Sequence, residues 1–281
     1  MAPSVAVLIA SMAAVLILGG VLVATAPSWR VPRALETGRS RLGSAVDSVV
    51  PHVGRGATAA GVALAGFALT LVIGWFLGKL AHALEPSVDV PVFEWFRTRQ
   101  LPGSWTDAWN VLTKMGNRAQ TQRIAVVGAV LLAVLWRRRG WWTPFLALPL
   151  GYLLEKFGQM LLAATVHRGH PPTTLGTYPS GGCARLVVVY GLVIFLVLRW
   201  KRVSRRGWVA GWTLLSLLTV LEGYSRTYLL KHWFTDVVGG VIYGGLILGL
   251  MVGAVCVLDR VAVDAPPTAL DTPQPSAAAV P

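Results

Sequence analysis

Long apolar runs separated by polar loops extend through the chain and predict seven membrane-spanning helices. A helix needs roughly 20 mostly apolar residues to cross the hydrocarbon core of a bilayer. The predicted spans are about 4–26, 58–82, 123–136, 142–165, 183–199, 207–224 and 234–258. Residues 85–122 interrupt the pattern with prolines and many aromatic residues, which favours a long loop carrying short amphipathic helices at the membrane interface.

Basic residues are concentrated in alternate loops, which determines the predicted orientation in the membrane. The basic loops are 27–57, 137–139 and 199–206, which hold five, three and five Lys or Arg residues. Loops of this kind remain in the cytoplasm. The segments 85–122, 166–182 and 223–233 are then expected outside, where the last two can meet although they are distant in the sequence.

The composition agrees with an all-α integral membrane protein. The 281 residues are 54% hydrophobic and only 13% charged, and the mean hydropathy is +0.61. In a soluble domain about 25% of the residues are charged. The basic residues behind the net charge of +13 cluster in short loops. They are therefore interpreted as a topology signal, and nucleic acid is not expected as a partner.

The pattern divides the chain into an N-terminal membrane helix, a basic linker, a membrane domain and a tail. Their bounds are 1–26, 27–57, 58–258 and 259–281. The linker and the tail are expected in the cytoplasm. The tail is rich in Pro, Ala and Thr, which is typical of a disordered segment.

Four polar residues stand out around the start of the seventh predicted span. Ser225 and Arg226 are followed after five residues by His232, and after three more by Asp236. A helix would place His232 and Asp236 on one face. An Asp can fix the tautomer of an imidazole and stabilise its charged form, and an Arg can hold a phosphate through two parallel hydrogen bonds. This combination is typical of a histidine nucleophile that attacks phosphorus.

A second motif lies in the loop before the fifth span, where Pro179 and Ser180 precede Gly181 and Gly182. Pro179 and Ser180 are predicted to cap the next helix and leave free N–H groups at its start. A glycine-containing helix amino terminus of this kind can bind phosphate. Taken alone, the same residues are ordinary turn material.

Together, the two motifs resemble those of the membrane-bound type 2 phosphatidic acid phosphatase superfamily, of which the chain looks like a divergent member. That family carries Lys-x6-Arg-Pro, Pro-Ser-Gly-His and Ser-Arg-x5-His-x3-Asp. The third signature is complete, whereas the second ends in Gly182 instead of His. The 44 residues between Ser180 and Ser225 fit the usual separation in the family. The resemblance implies a six-helix phosphatase-like core over 58–258, to which the helix at 1–26 is an addition.

The first signature is altered. Aligning Pro171 with the proline of the family places His170 at the arginine position and Ala163 at the lysine position. Arg168, two residues before His170, is favoured as the replacement phosphate ligand. Lys156 is equally consistent with a ligand and with a side chain that pairs with Glu155 or extends to the membrane interface.

The resemblance implies a mechanism and the residues that perform it. His232 attacks phosphorus and becomes a phosphohistidine, while Asp236 orients His232. The substrate-binding residues are Arg226, Arg168, Ser180, Gly181, Gly182, Ser225 and, from a shifted place, Lys156. No metal and no other cofactor is implied.

In the family, a histidine at the position of Gly182 would protonate the leaving oxygen, and its absence here leaves three possibilities. His170, or its neighbour His167, can supply the proton from the same loop, and this possibility is preferred. The leaving group can be good enough to depart unassisted, as a phosphate is when it leaves a diphosphate. Alternatively, the enzyme is slow or inactive.

These features predict a lipid-phosphate phosphatase at the outer face of a bacterial plasma membrane. Its substrate is expected to be a polyprenyl phosphate or diphosphate, or a phosphatidate-like lipid. Two alternatives stay open: a phosphotransferase that passes the group to an acceptor alcohol, and a catalytically silent protein that binds lipid head groups. The expected partners are the lipid phosphate and membrane lipids, and the oligomeric state is left open.

Overall fold

The computed structural model describes residues 55–101, 103–137, 140–173 and 175–263, and every regular element in these ranges is helical. The all-α class is thus confirmed for this part of the chain. The elements are α1 (Arg55–Leu84), a π turn (Glu85–Asp89), α2 (Val90–Arg97), α3 (Gly103–Leu112), α4 (Arg118–Leu135), α5 (Trp142–Val166), α6 (Gly181–Lys201), α7 (Arg205–Tyr228) and α8 (Phe234–Val263).

Four helical stretches in the described ranges are long and apolar enough to cross a membrane, as in a multi-pass membrane protein. They are Ala60–Arg97, Arg118–Leu135, Gly181–Lys201 and Phe234–Cys256. The predicted count of six core spans plus one is not confirmed by these four. The predicted helix at 1–26, the linker up to residue 54 and the tail from residue 264 lie outside the described residues.

Helix α6 is the centre of the bundle. In α6, 72% of the most apolar 18-residue segment is buried inside the protein. The corresponding share for the stretch that contains α1 is 11%. Helices α4, α5, α7 and α8 pack around α6, and α1 packs against α5 and α8. Gly244 of α8 lies so close to α6 that a Cβ atom there would be 2.8 Å from the carbonyl oxygen of Ala184. Small residues allow this close approach between membrane helices.

Large apolar side chains cover the outside of α1, α4 and α5. Examples with about half or more of their surface exposed are Leu64, Phe76, Leu131, Val134, Leu146 and Phe157. In water such a surface would associate or aggregate, whereas a bilayer solvates it. The outside of the bundle therefore agrees with the apolar runs in the sequence.

The segment 85–122 differs from the predicted long loop because α1 continues through the π turn into α2. Pro86 and Pro91 lie in this continuation. The N–H of Val90 donates to the carbonyl of Glu85, which is the wider π spacing. The expected short helices are present as α2 and α3, and their aromatic side chains pack against the end of α7 through Tyr224 and Tyr228.

Candidate functional site

The two loops that carry the sequence motifs meet at one end of the bundle. The N–H of Ser180 donates to the carbonyl of Asp236 at 2.9 Å, and Trp233 Nε1 donates to the carbonyl of Gly169 at 3.2 Å. Thr173 Oγ1 donates to the carbonyl of Leu230 at 2.6 Å. The predicted meeting of the segments 166–182 and 223–233 is therefore confirmed.

A cavity of about 230 Å³ lies where these loops meet the amino terminus of α6. Four of the predicted site residues line it, namely His232, Arg226, Gly181 and Gly182. The other lining residues are Arg118, Gln159, Gly176, Thr177 and Arg185. The wall is strongly cationic because three arginines contribute to it, and none of the lining residues is acidic.

His232 lies in the loop just before α8, not on the helix as expected, while Asp236 lies in the first turn of α8. The Nδ1 atom of His232 is 3.8 Å from Oδ2 of Asp236, which is within ion-pair distance but too long for a hydrogen bond. Only 8% of His232 is exposed. Burial lowers the pKa of His232 below its ordinary value of 6.5, although the neighbouring Asp236 opposes the shift. A neutral imidazole, the nucleophilic form, is thereby favoured near pH 7.

Arg226 is held in place by three hydrogen bonds. Its Nε donates to Glu222 Oε1 at 2.7 Å, and its Nη2 donates to the carbonyl of Thr113 at 3.0 Å and to Asn117 Oδ1 at 2.9 Å. Glu222 is thus a paired charge in the bundle interior. The last turn of α7 and the loop before α4 together fix Arg226 at the cavity wall.

The guanidinium of Arg226 occupies the space next to Gly182. A Cβ atom at position 182 would lie 2.5 Å from Nη2 and 2.6 Å from Cζ of Arg226. Carbon contacts in proteins are normally about 3.5–4.0 Å. An arginine therefore packs against the start of α6 at Gly182, the position where the second signature ends.

Arg185 is the main site residue that the sequence reasoning missed. It lies one helix turn after Gly181, and a Cβ atom at position 181 would be 2.7 Å from its Nη1. Its Nη1 is 3.7 Å from Oε1 of the buried Glu155, and its Nε donates to the carbonyl of Gly116 at 3.4 Å. An available signal was the position of an arginine within an apolar helix four residues after a candidate phosphate-binding glycine.

Arg118 and Gln159 also line the cavity without having been predicted. Arg118 is the first residue of α4. Gln159 Nε2 donates to Thr177 Oγ1 at 3.3 Å, which connects α5 to the loop before α6. Neither residue belongs to a signature, so only the folded arrangement brings them to the site.

Arg168 is placed differently from the prediction, because it does not line the cavity. Its side chain is fully buried among three carboxylates. Nη1 donates to Asp236 Oδ1 at 2.7 Å, Nε is 3.4 Å from Glu85 Oε2, and Nη2 donates to Asp89. In this arrangement Arg168 binds the carboxylate behind His232 and not an anion in the cavity.

The remaining predicted residues also lie away from the cavity wall. His170 is exposed, with Nδ1 3.3 Å from the carbonyl oxygen of Pro171. The Nζ of Lys156 is 5.5 Å from the centre of the Phe157 ring. Ser180 Oγ donates to Cys183 Sγ at 3.5 Å, and Ser225 Oγ donates to the carbonyl of Glu222 at 2.7 Å. Both serines are fully buried and stabilise the helix ends that carry the cavity residues.

The cavity combines a neutral imidazole with three guanidinium groups and the first amides of α6. Guanidinium and main-chain N–H groups bind the oxygens of a tetrahedral anion, and they stabilise charge that develops when phosphorus is attacked. Within the described ranges, no group of three or more His, Cys, Asp or Glu side chains is arranged to hold a metal ion. The lining residues can bind an anion beside the imidazole of His232.

Comparison with known proteins agrees with this fold. The family model of the PAP2 superfamily matches residues 152–257, a range that holds most of α5 and all of α6 and α7. A crystal structure of a transmembrane PAP2-type phosphatidylglycerolphosphate phosphatase from Bacillus subtilis has the same fold, with a TM-score of 0.58. The two chains are 20% identical, and the match covers 69% of this chain and 96% of the other. No curated protein sequence matches the chain.

Proposed function

Because residues 152–257 match the family model of the PAP2 superfamily, we propose that this protein is a membrane enzyme that hydrolyses lipid phosphates. The observation that carries the proposal is the position of His232 at the wall of a cavity that three arginines also line. A phosphate ester held by guanidinium groups would present its phosphorus to a nearby nucleophile. The same cavity contains no acidic side chain among the described lining residues that would repel a phosphate dianion.

In the proposed reaction, Nε2 of His232 attacks phosphorus, because Nδ1 faces Asp236. The N–P bond forms while the bond from phosphorus to the leaving oxygen breaks, and water then hydrolyses the phosphohistidine to release phosphate. Asp236 stabilises the imidazole as it acquires positive charge. The arginines stabilise the equatorial oxygens in both steps.

The cavity favours a lipid diphosphate over a phosphate monoester as the substrate. Of the lining side chains in the described part of the chain, His232 is the one whose residue type ordinarily titrates near neutral pH. If His232 is the nucleophile, no second side chain at the wall is suited to protonate an alkoxide. His170 is on the exposed loop surface and not at the wall. When His232 attacks the terminal phosphorus of a lipid diphosphate, the lipid monophosphate leaves, and this leaving group needs charge neutralisation by the arginines rather than a proton.

The proposed orientation places the cavity at the outer face of a bacterial plasma membrane. Helix α6 begins at the cavity with Gly181 and ends at Lys201. The other end of α6 leads into the basic loop 199–206, which the distribution of Lys and Arg assigns to the cytoplasm. A helix that crosses the membrane then carries its amino terminus, and with it the cavity, to the opposite face.

Phosphate release by the purified protein in detergent tests the proposal. The substrates are undecaprenyl diphosphate, undecaprenyl phosphate and phosphatidate, with a chelator present and His232→Ala as the control. Release from the diphosphate that is lost in the variant supports the proposal. Absence of release from all three substrates contradicts a hydrolase, and lipid binding without release would then favour a transferase without its acceptor or a silent head-group binder.

A further inference from the structure

A carboxylate from the π turn reaches the start of α8 behind the cavity. Asp89 is fully buried. Its Oδ1 accepts a hydrogen bond from the N–H of Thr235 at 2.8 Å, and its Oδ2 accepts one from Thr235 Oγ1 at 2.6 Å. The guanidinium of Arg168 donates to the same Oδ2. Asp89 thus has partners on two separate elements of the fold.

The contact with Thr235 makes Asp89 a helix cap supplied from another segment. Thr235 is the second residue of α8, where main-chain N–H groups lack partners within the helix. A carboxylate at this place satisfies such a group and interacts favourably with the positive end of the helix dipole. Asp236 is the next residue, so the cap fixes the main chain that carries it.

The contact with Arg168 joins Asp89 to Asp236 through a second route. Arg168 Nη1 donates to Thr235 Oγ1 and to Asp236 Oδ1, each at 2.7 Å. Asp89, Arg168 and Asp236 therefore form one connected chain of charge-assisted hydrogen bonds, which ends 3.8 Å from Nδ1 of His232. Such bonds are stronger and more directional than neutral ones.

We propose that Asp89 is a positioning residue of the active site, which holds Asp236 and thereby His232 in place through the start of α8 and through Arg168. The proposal rests on the proposed function, since it assigns Asp89 to the same reaction. Asp89 does not line the cavity, so it acts on the nucleophile and not on substrate binding. Its effect should fall on kcat and leave KM almost unchanged.

Two substitutions at position 89 separate positioning from a simple charge effect. Asp89→Asn keeps the shape, but its amide nitrogen cannot accept hydrogen bonds from Arg168 or from the hydroxyl of Thr235. Asp89→Glu keeps the charge but moves the carboxylate by one methylene group. We expect kcat to fall about 10- to 100-fold in both variants, with KM within about two-fold, as for other residues that orient a reacting group.

Two further variants complete the set. Glu94→Gln is the matched control, because Glu94 pairs with Arg97 on the exposed side of α2, away from the site, and it should leave kcat unchanged. Thr235→Val is the variant to use if substitution at position 89 prevents folding. It removes the hydroxyl that binds both Asp89 and Arg168 while keeping the shape of the side chain, and it should also lower kcat without changing KM.

Labelling of His232 gives a readout that does not depend on turnover. The chain has five histidines, so the rate of carbethoxylation by diethyl pyrocarbonate is measured on the His232 peptide by mass spectrometry. Release of the imidazole from Asp236 should make His232 react faster in Asp89→Asn than in the wild type and in Glu94→Gln. The thermal unfolding midpoint of each variant in detergent reports whether it is folded.

The outcomes distinguish the two proposals. A kcat at the wild-type level in Asp89→Asn, an activity restored fully by Asp89→Glu, or an equal rise in KM overturns the positioning role. If the wild type releases no phosphate from any substrate, the proposed function fails, and the labelling rate then decides alone. Faster labelling in Asp89→Asn still supports the positioning of His232, whereas an unchanged rate overturns it.

Discussion

Replacement of Gly182 by alanine tests whether Arg226 occupies the space of a side chain at this position. The new methyl group would lie 2.5 Å from Nη2, 2.6 Å from Cζ and 2.8 Å from Nε of Arg226. Gly182 is the second residue of α6, whose main chain is packed on several sides, so the arginine must move. A normal contact of about 3.5 Å requires the guanidinium to retreat by about 1 Å.

The size of the effect follows from the bonds that this movement breaks. Arg226 donates to Glu222 at 2.7 Å, to Thr113 at 3.0 Å and to Asn117 at 2.9 Å. A shift of about 1 Å takes such bonds beyond the hydrogen-bonding range. Loss of one partner in a buried pair costs about 3–5 kcal/mol, and partial loss costs less. We expect about 3 kcal/mol in total, which corresponds to about 100-fold, shared between protein stability and phosphate affinity.

The assay combines thermal unfolding in detergent with the KM for phosphate release. Gly245→Ala is the matched control, because Gly245 lies within α8 with no heavy atom within 4 Å of a Cβ atom placed there. A double-mutant cycle with Arg226→Ala identifies the cause, since Gly182→Ala should have almost no further effect once the guanidinium is absent. A Gly182→Ala variant that behaves like Gly245→Ala, or that is equally harmful without Arg226, would contradict this role of the Arg226 guanidinium.

Three further predictions follow from the geometry. Arg185→Ala should raise the KM for the lipid phosphate at least about 10-fold, because it removes a charge-assisted contact at the cavity wall; an unchanged KM would exclude Arg185 from the site. Lys156→Ala, measured in the same assay, should change neither kcat nor KM, because Lys156 does not line the cavity; a clear rise in KM would restore it as a ligand. Since burial lowers the pKa of His232 below 6.5, the nucleophile stays neutral at pH 6.5, and kcat/KM should fall only as the pH decreases further; an acid limb centred above pH 6.5 would contradict this environment.

The helices formed by long apolar runs could be predicted from the sequence. The helix expected at 142–165 is observed as Trp142–Val166, and that expected at 183–199 as Gly181–Lys201, which is also one of the four stretches long and apolar enough to cross a membrane. Bilayer thickness and apolar composition suffice to define such helices. The continuation of α1 into α2 could not be predicted, because prolines normally end a helix, whereas here Pro86 lies in the π turn and Pro91 in the first turn of α2.

The site was partly predictable for a different reason. The two motifs supplied His232, Arg226 and the two glycines, which line one cavity because the segments that carry them meet at the same end of the bundle. The partners of the arginines are not local. Arg168 binds a carboxylate 79 residues away along the chain, and no pattern in the sequence connects the two. Only the folded protein therefore shows that Arg185 lines the cavity and that Arg168 does not.

The pairing of the arginines with carboxylates explains how the fold can bury cations and still bind an anion. An unpaired guanidinium in the bundle would carry a large desolvation cost. Arg226 is fixed by Glu222 and two other acceptors, so it has few donors left to reorient. Arg185 is 3.7 Å from Glu155, and neither carboxylate oxygen of Glu155 has a hydrogen-bond partner among the described residues. Arg185 is thus held mainly by charge, which leaves its guanidinium able to turn towards a phosphoryl group. Arg226 forms a fixed part of the cavity wall beside that group.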